Sequence, residues 1–413
     1  MTNQTLPIRR IFDIINHAPE GLNPFAFTAL ALEKIEKPPS GPIVRGALII
    51  FACIQAAIIL CCVGMLAIPF LQGGVGVAQS HNWIMRRKFS GSHRFPYLIL
   101  NNVLVIGLSY LIGGILFECY VVLQFNTMNL NRQTSQFSWI ELMNLPACCA
   151  TFIQAFTMLF ISTSNPSQGG IKRHLLPPPI FNFFLIGFPA ITTVVSVCLI
   201  VHKATLIRKL DDSYSNLIGL LTDAVSLWDN GQIVLPDSQK DVLQAAYEIF
   251  MTDTFRKNKS RIRIGLFWAL IDVPSILFYF IGVSTLITTV YQSNKSSQVN
   301  ATALKSDGFK TNHSEKLSEP PPKLLETSPR PLARSLKFLW FHYLAMSMAL
   351  SMETVTGLVF YLNKDNLKEL RLGVVFFITN LSCTIFILIA MIILLARIIV
   401  DGREEKNPVP GKE

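Results

Sequence analysis

Charge is scarce in this chain. Only 15% of its 413 residues are Asp, Glu, Lys or Arg, against about 25% in a soluble globular protein. Beside 51% apolar residues, that shortage excludes a disordered tail and argues against an ordinary soluble enzyme. On a soluble protein a net charge of +10 would suggest nucleic acid as a partner. Here all 36 Lys and Arg lie outside seven long apolar segments. The expected partner is therefore a lipid bilayer, and no nucleic acid is expected.

Cysteine supplies a second exclusion. Cys53, Cys61, Cys62, Cys119, Cys148, Cys149, Cys198 and Cys383 all fall inside or at the edges of apolar segments. A disulfide framework needs cysteines in loops on an oxidising side. These read instead as small packing residues. The adjacent pairs Cys61–Cys62 and Cys148–Cys149 point to different helix faces and make poor chelators, so no metal is expected.

Catalytic and family landmarks are missing too. Gly73-Gly74-Val75-Gly76 lacks the Lys-Ser/Thr ending of a phosphate-binding loop, and no G-x-S-x-G or H-E-x-x-H occurs. Neither an enzyme nor a cofactor is expected. G-protein-coupled receptors carry an Asp/Glu-Arg-Tyr that is not found here, and Asn380-Leu-Ser-Cys stands where their Asn-Pro-x-x-Tyr would be. The Thr-Tyr…Gln-Phe signature of insect chemoreceptors is also absent from the seventh segment. What the chain shares with either family is layout, which does not establish function.

The apolar segments are 46–71, 97–125, 138–162, 178–202, 264–291, 338–362 and 372–396. Each exceeds the roughly 20 residues that cross a bilayer as helix. Strand alternation is absent, and only helices or closed barrels satisfy the backbone in lipid. The reading is an all-α, polytopic membrane protein: seven transmembrane helices with an extramembrane helical hairpin between the fourth and fifth. Its parts are an extramembrane segment 1–45, helices 1–4 in 46–202, the hairpin 203–263 and helix 5 in 264–291. A disordered loop 292–337, helices 6–7 in 338–396 and a tail 397–413 follow.

The hairpin shows itself by period. Leu210, Tyr214, Leu217, Leu221, Ala224 and Trp228 are spaced alternately by 4 and 3, an a/d seam. Gly231 and Pro236 end it. A second helix starts at Ser238, with Val242, Ala246, Ile249 and Phe250 as its apolar stripe. Such a hairpin buries its own seam, and it could also serve as a protein-docking or self-association platform.

Orientation does not follow from basic residues, which split 18 to each side. Sequons at Asn294, Asn300 and Asn312 make the loop 292–337 a glycosylation candidate and favour an external face for it. Those at Asn3 and Asn258 point the other way. The expected arrangement has a cytoplasmic amino-terminus, in the plasma membrane or an endomembrane.

Four acids interrupt the spans: Glu118, Glu141, Asp272 and Glu353. Alternating helix direction puts all four toward the face carrying the hairpin. An ionised group in lipid costs about 2.5–3.5 kcal/mol, so such residues turn inward or toward water. Pro274, two residues after Asp272, frees a backbone carbonyl and kinks its helix. His342 reads as an interfacial hydrogen-bonding residue. Asp272 and Glu353 are expected to line a polar intramembrane site, with Glu118 and Glu141 nearer its mouth. The function expected is that of a receptor-like or ligand-gated sensory protein. A secondary transporter using the acids as relays, or a non-catalytic scaffold, are the alternatives.

Overall fold

The computed structural model describes residues 11–36, 42–81, 83–89, 94–130, 139–163, 176–229, 232–233, 236–307, 329–362 and 370–406. In chain order the helices are α1 (Ile11–Asn16), α2 (Pro24–Glu36), α3 (Pro42–His81), α4 (Asn102–Leu130) and α5 (Trp139–Thr163). They continue with α6 (Pro178–Val225), α7 (Asp237–Asp307), α8 (Pro329–Leu362) and α9 (Leu370–Lys406). Two short antiparallel ribbons interrupt them. β1 (Met85–Lys88) pairs with β2 (Tyr97–Leu100), and β3 (Trp228–Asp229) with β4 (Gln232–Ile233).

Among the described residues, six helices are long and apolar enough to cross a membrane: α3, α4, α5, α6, α7 and α9. The protein is therefore an all-α, polytopic membrane protein. The sixth expected span, α8, is not one of these six. His342, Ser347, Ser351, Glu353, Thr354 and Thr356 lie along it and dilute its apolar character. It packs against α7 on one side and α9 on the other, so its polar groups meet protein.

Packing closes a ring. α3 touches α4, α4 touches α5, α5 touches α7, α7 touches α8, α8 touches α9, and α9 returns to α3. The ring's axis is filled by one buried cluster that includes Ile58, Ile106, Met158, Tyr279, Met346 and Met391. α6 stands outside the ring against α5 and α7. Its far face leaves Phe183, Ile186, Ile191, Val194 and Val201 exposed, as suits a lipid-facing surface. Beside it, Phe152, Phe156, Phe160 and Phe181 form an aromatic cluster with Tyr97 of β2, whose ring meets those of Phe160 and Phe181.

Several boundaries differ from expectation for local reasons. Tyr97–Leu100 is strand, so the second span begins at Asn102. The Asn101 side-chain oxygen accepts the Leu104 N–H as a cap, which fixes the start of the helix there. α7 continues to Asp307, where a disordered loop was expected from 292. No Pro or Gly stands between Gly282 and Gly308 to stop it. Pro329 and Pro331, expected in that loop, open α8 instead, and proline suits a first helical turn.

The amino-terminal segment is not a free tail. α1 and α2 pack on the paired far halves of α6 and α7. Asn23 Oδ1 accepts the N–H groups of Phe25 and Ala26, capping α2. Its Nδ2 donates to the Val225 carbonyl at 3.0 Å. The Ile11 N–H donates to Gln244 Oε1 at 3.0 Å. Ile11, Ile15, Phe25 and Leu32 thereby join the cluster formed by α6 and α7.

That cluster corrects one stripe. Leu210, Leu217, Leu221 and Ala224 are buried on α6 with Tyr214 beside them, in the seam read from period, but the helix ends at Val225 and Trp228, expected to continue it, packs on the cluster from β3. On α7 the buried set is Leu243, Ala246, Tyr247 and Phe250, whereas Val242 and Ile249 are 53% and 56% exposed. The spacing 243, 246, 247, 250 is a stricter helical face than the expected one.

Candidate functional site

Asp272 and Glu353 face each other within the ring. Their register is set from both ends of the α7–α8 contact. At one end Gly357 lies so close to α7 that an added methyl would meet the Gly265 carbonyl oxygen at 2.8 Å and Ala269 Cβ at 2.9 Å. At the other end the rings of Tyr279 and Tyr343 stand 5.3 Å apart. Asp272 is three residues past Ala269, about 4.5 Å along α7. Glu353 is four residues before Gly357, about 6 Å along the antiparallel α8. The two carboxylates are thus level, and Asp272 feels the charge of Glu353.

Asp272 is 2% exposed, and its Oδ2 has no hydrogen-bond partner. Ser275, one turn along the same face, is equally buried, with an unpartnered hydroxyl. Tyr110 of α4, Cys148 of α5 and Cys383 of α9 all lie within the electrostatic reach of Glu353, and the two thiols also within that of Asp272. An acid pair at the meeting of five helices must keep its charge low through bound protons or a counter-ion, because desolvating two anions together is costly.

The other expected site residues stand apart. Glu118 on α4 is half-buried, and its Oε1 is enclosed without a partner. Glu141 is on α5, but its side chain lies outside the described residues. Pro274 sits inside α7, which continues through it. Asn294 and Asn300 are on the α7 backbone rather than a loop, and Asn312 lies outside the described residues. Among the described residues no group of three or more His, Cys, Asp or Glu is arranged to hold a metal ion.

A second polar element lies deeper toward the opposite end of the ring. His342, expected at an interface, is 0% exposed. It lies thirteen residues inside α8 because that helix starts at Pro329, well before the apolar run. Its Nδ1 stands 3.1 Å from the Ala390 carbonyl, and its Nε2 stands 2.9 Å from Gln154 Nε2. The Tyr279 hydroxyl donates to Gln154 Oε1 at 2.5 Å. One chain of hydrogen bonds therefore ties α7, α5, α8 and α9 together. Gln154 and Tyr279 were missed by sequence reading. The available signal was a lone amide in the middle of an apolar span, which needs an interhelical partner.

Both elements share α7 with the outlying helical pair. The same uninterrupted helix carries Leu243, Ala246, Tyr247 and Phe250 at one end, then Asp272 and Tyr279. From Phe250 to Asp272 is about 33 Å along the axis. Comparison with known protein families, with curated proteins and with solved structures finds no match to this chain.

Proposed function

We propose that this protein is a receptor-like or ligand-gated sensory membrane protein with a polar site in the axis of its bundle. One observation carries the reading: α7 is one continuous helix that bears Asp272 of the acid pair and, at its other end, the Leu243, Ala246, Tyr247 and Phe250 face of the outlying helical pair. A change in ligation or charge at Asp272 biases the position of that rod. The 206–250 region then moves with it and presents a changed surface to a protein partner or a second copy.

The topology proposed has seven crossings, with the hairpin outside the membrane. α1 and α2 dock on the α6–α7 pair, so an even number of crossings must separate them. α3, α4, α5 and α6 supply four. α7, α8 and α9 then leave the carboxyl-terminus on the opposite side. We assign the amino-terminus to the cytoplasm of a cell expressing the protein in its plasma membrane or an endomembrane. Replacing Asn294, Asn300 and Asn312 by Gln should remove a glycosidase-sensitive mass shift. A shift retained by that variant and lost from Asn3→Gln would invert the assignment.

The coupling is tested without a known ligand. Asp272→Asn and Gln154→Leu should each alter amide hydrogen exchange in residues 206–225 and 237–255. Ile191→Ala, on the exposed face of α6, should not. Unchanged exchange in both core variants sinks the receptor reading.

A second reading, a proton-coupled carrier, draws support from the unpartnered Asp272 oxygen. It predicts pH-driven uptake into liposomes that disappears in Asp272→Asn and Glu353→Gln. Flux that persists in both variants removes it.

A further inference from the structure

The end of the ring opposite the acid pair holds a cleft of about 130 Å³ between α3, α4 and α9. Leu66, Pro69, Leu104 and Leu394 form apolar walls, and Trp83 and Arg397 stand at its edge. Among the described residues, no Asp or Glu lines it. Positive charge gathers there from a second source. The Arg86 guanidinium lies 4.4 Å over the Trp83 ring, and β1 runs Met-Arg-Arg-Lys, exposed throughout. The ribbon is anchored by the Asn101 N–H, which donates to the Ile84 carbonyl at 3.0 Å.

Arg397 has a partner within the chain. A guanidinium carries five N–H donors in a fork that fits a carboxylate, so it can take an anion in addition. Its charge also reaches inward. His342 and Tyr343 both feel it, and His342 belongs to the hydrogen-bond chain that holds α7. The cleft is therefore connected electrostatically to the rod.

We propose that this cleft binds a small amphipathic carboxylate, its anionic end on Arg397 and its apolar body against Leu66, Pro69, Leu104 and Leu394. Size follows from the volume: a cavity of about 150 Å³ accommodates benzene, so the body is one ring or a chain of about six carbons. Binding depends only on the cleft. That the bound acid acts as a signal rests on the receptor reading above.

The test uses the full chain purified in dodecyl maltoside, which carries no phosphate. Radiolabelled benzoate and hexanoate are the probes, and benzyl alcohol is the uncharged competitor. Saturable binding of either acid is expected, with benzyl alcohol competing at least about tenfold more weakly because it lacks the charge-assisted bonds. Arg397→Gln should weaken binding by about tenfold or more, and Arg397→Lys by less. Leu104→Trp, which fills the cleft, should abolish binding, and Ile191→Ala, on the exposed face of α6, should leave it unchanged. The mutant pair guards against misfolding, since Leu104→Trp approaches the site from a different helix.

Absence of saturable binding by both acids in the wild-type chain overturns the proposal. So does binding that ignores both Arg397→Gln and Leu104→Trp. If dihexanoylphosphatidylglycerol displaces benzoate at lower concentration than benzoate itself, the occupant is a lipid phosphate and the carboxylate assignment fails. Hydrogen exchange with saturating benzoate separates the two readings. Altered exchange in 237–255 supports both. Binding with unaltered exchange keeps the cleft and counts against the receptor reading.

Discussion

Gln154 and His342 meet nitrogen to nitrogen, 2.9 Å apart, in the middle of the bundle. Two amide-type donors cannot share one hydrogen bond, so the geometry fixes the proton positions. The Ala390 carbonyl beside His342 Nδ1 only accepts, which places the imidazole proton on Nδ1. His342 Nε2 is then the acceptor, and Gln154 donates to it through Nε2. Gln154 Oε1 remains to accept from Tyr279. The chain runs in one direction from α7 to α9, with each of these contacts satisfied.

Removing its centre should cost more than removing its end. Gln154→Leu strands both the Tyr279 hydroxyl and His342 Nε2, each at about 1–3 kcal/mol for an unsatisfied buried group. Tyr279→Phe removes one donor to Gln154, which also has a side-chain hydrogen bond with Tyr343. Thermal unfolding in detergent should rank wild type above Tyr279→Phe and that above Gln154→Leu. The double variant should be more stable than Gln154→Leu, because Tyr279→Phe removes the hydroxyl that Gln154→Leu leaves unsatisfied. A Tyr279→Phe loss equal to or larger than that of Gln154→Leu would disprove the directed chain.

The level placement of Asp272 and Glu353 depends on how closely α8 approaches α7 at Gly357. A methyl there would contact the Gly265 carbonyl oxygen at 2.8 Å, and backbone yields little. Gly357→Ala should destabilise the protein by about 1–3 kcal/mol, the usual cost of overpacking. Gly187→Ala is the matched control, since its nearest neighbour is the Phe183 ring at 3.7 Å. That change should be neutral or mildly stabilising, as Ala is the better helix former. Comparable losses at both positions would mean that the approach at Gly357 is not the tight one.

How far the sequence revealed this arrangement depended on whether the signal was local. The seam Leu210, Leu217, Leu221 and Ala224 was legible because its partners recur within one helix. The long apolar runs were legible for the same reason. Tyr97–Leu100 was not, since Tyr-Leu-Ile-Leu is as apolar as the helix it precedes; only Asn101 marks the break. The facing of Asp272 and Glu353 was half legible: helix direction gave their depth, but not that α7 and α8 are neighbours. Gln154, Tyr279 and His342 were not legible as a set. They come from three helices, and each reads alone as an isolated polar residue in an apolar run. No local pattern encodes a partner 125 or 188 positions away.

Docking of the amino-terminal helices rests on two side chains that a simple variant can remove. Asn23→Ala deletes the α2 cap and the bond to Val225, and Gln244→Ala deletes the acceptor of the Ile11 N–H. Loss of a cap costs about 0.5–2 kcal/mol. The double variant should therefore expose residues 11–36 to limited proteolysis sooner, while the bundle's thermal midpoint stays close to wild type. Unchanged cleavage rates would show that Ile15, Phe25 and Leu32 hold the segment by packing alone.

Adjacent positions on α7 decide the face by which it meets α6. Leu243 is 2% exposed and Val242 is 53% exposed, although the two are similarly apolar. If the face is Leu243, Ala246, Tyr247 and Phe250, Leu243→Ala empties a packed site between α6 and the amino-terminal helices. Such a truncation costs about 2–5 kcal/mol, depending on how far the surroundings collapse. Val242→Ala removes a side chain already half in solvent and gains helix propensity, so its effect should lie within about 0.5 kcal/mol of zero. Amide exchange across 237–255 reads both, because the loss is local to the paired helices and need not lower the midpoint of the ring. Faster exchange in Leu243→Ala with wild-type exchange in Val242→Ala is the expected result. The reverse order would mean that α7 meets α6 through the stripe of Val242 and Ile249, about 100° around the helix from the observed one, and Asp272 and Tyr279 would then leave the axis of the ring with it.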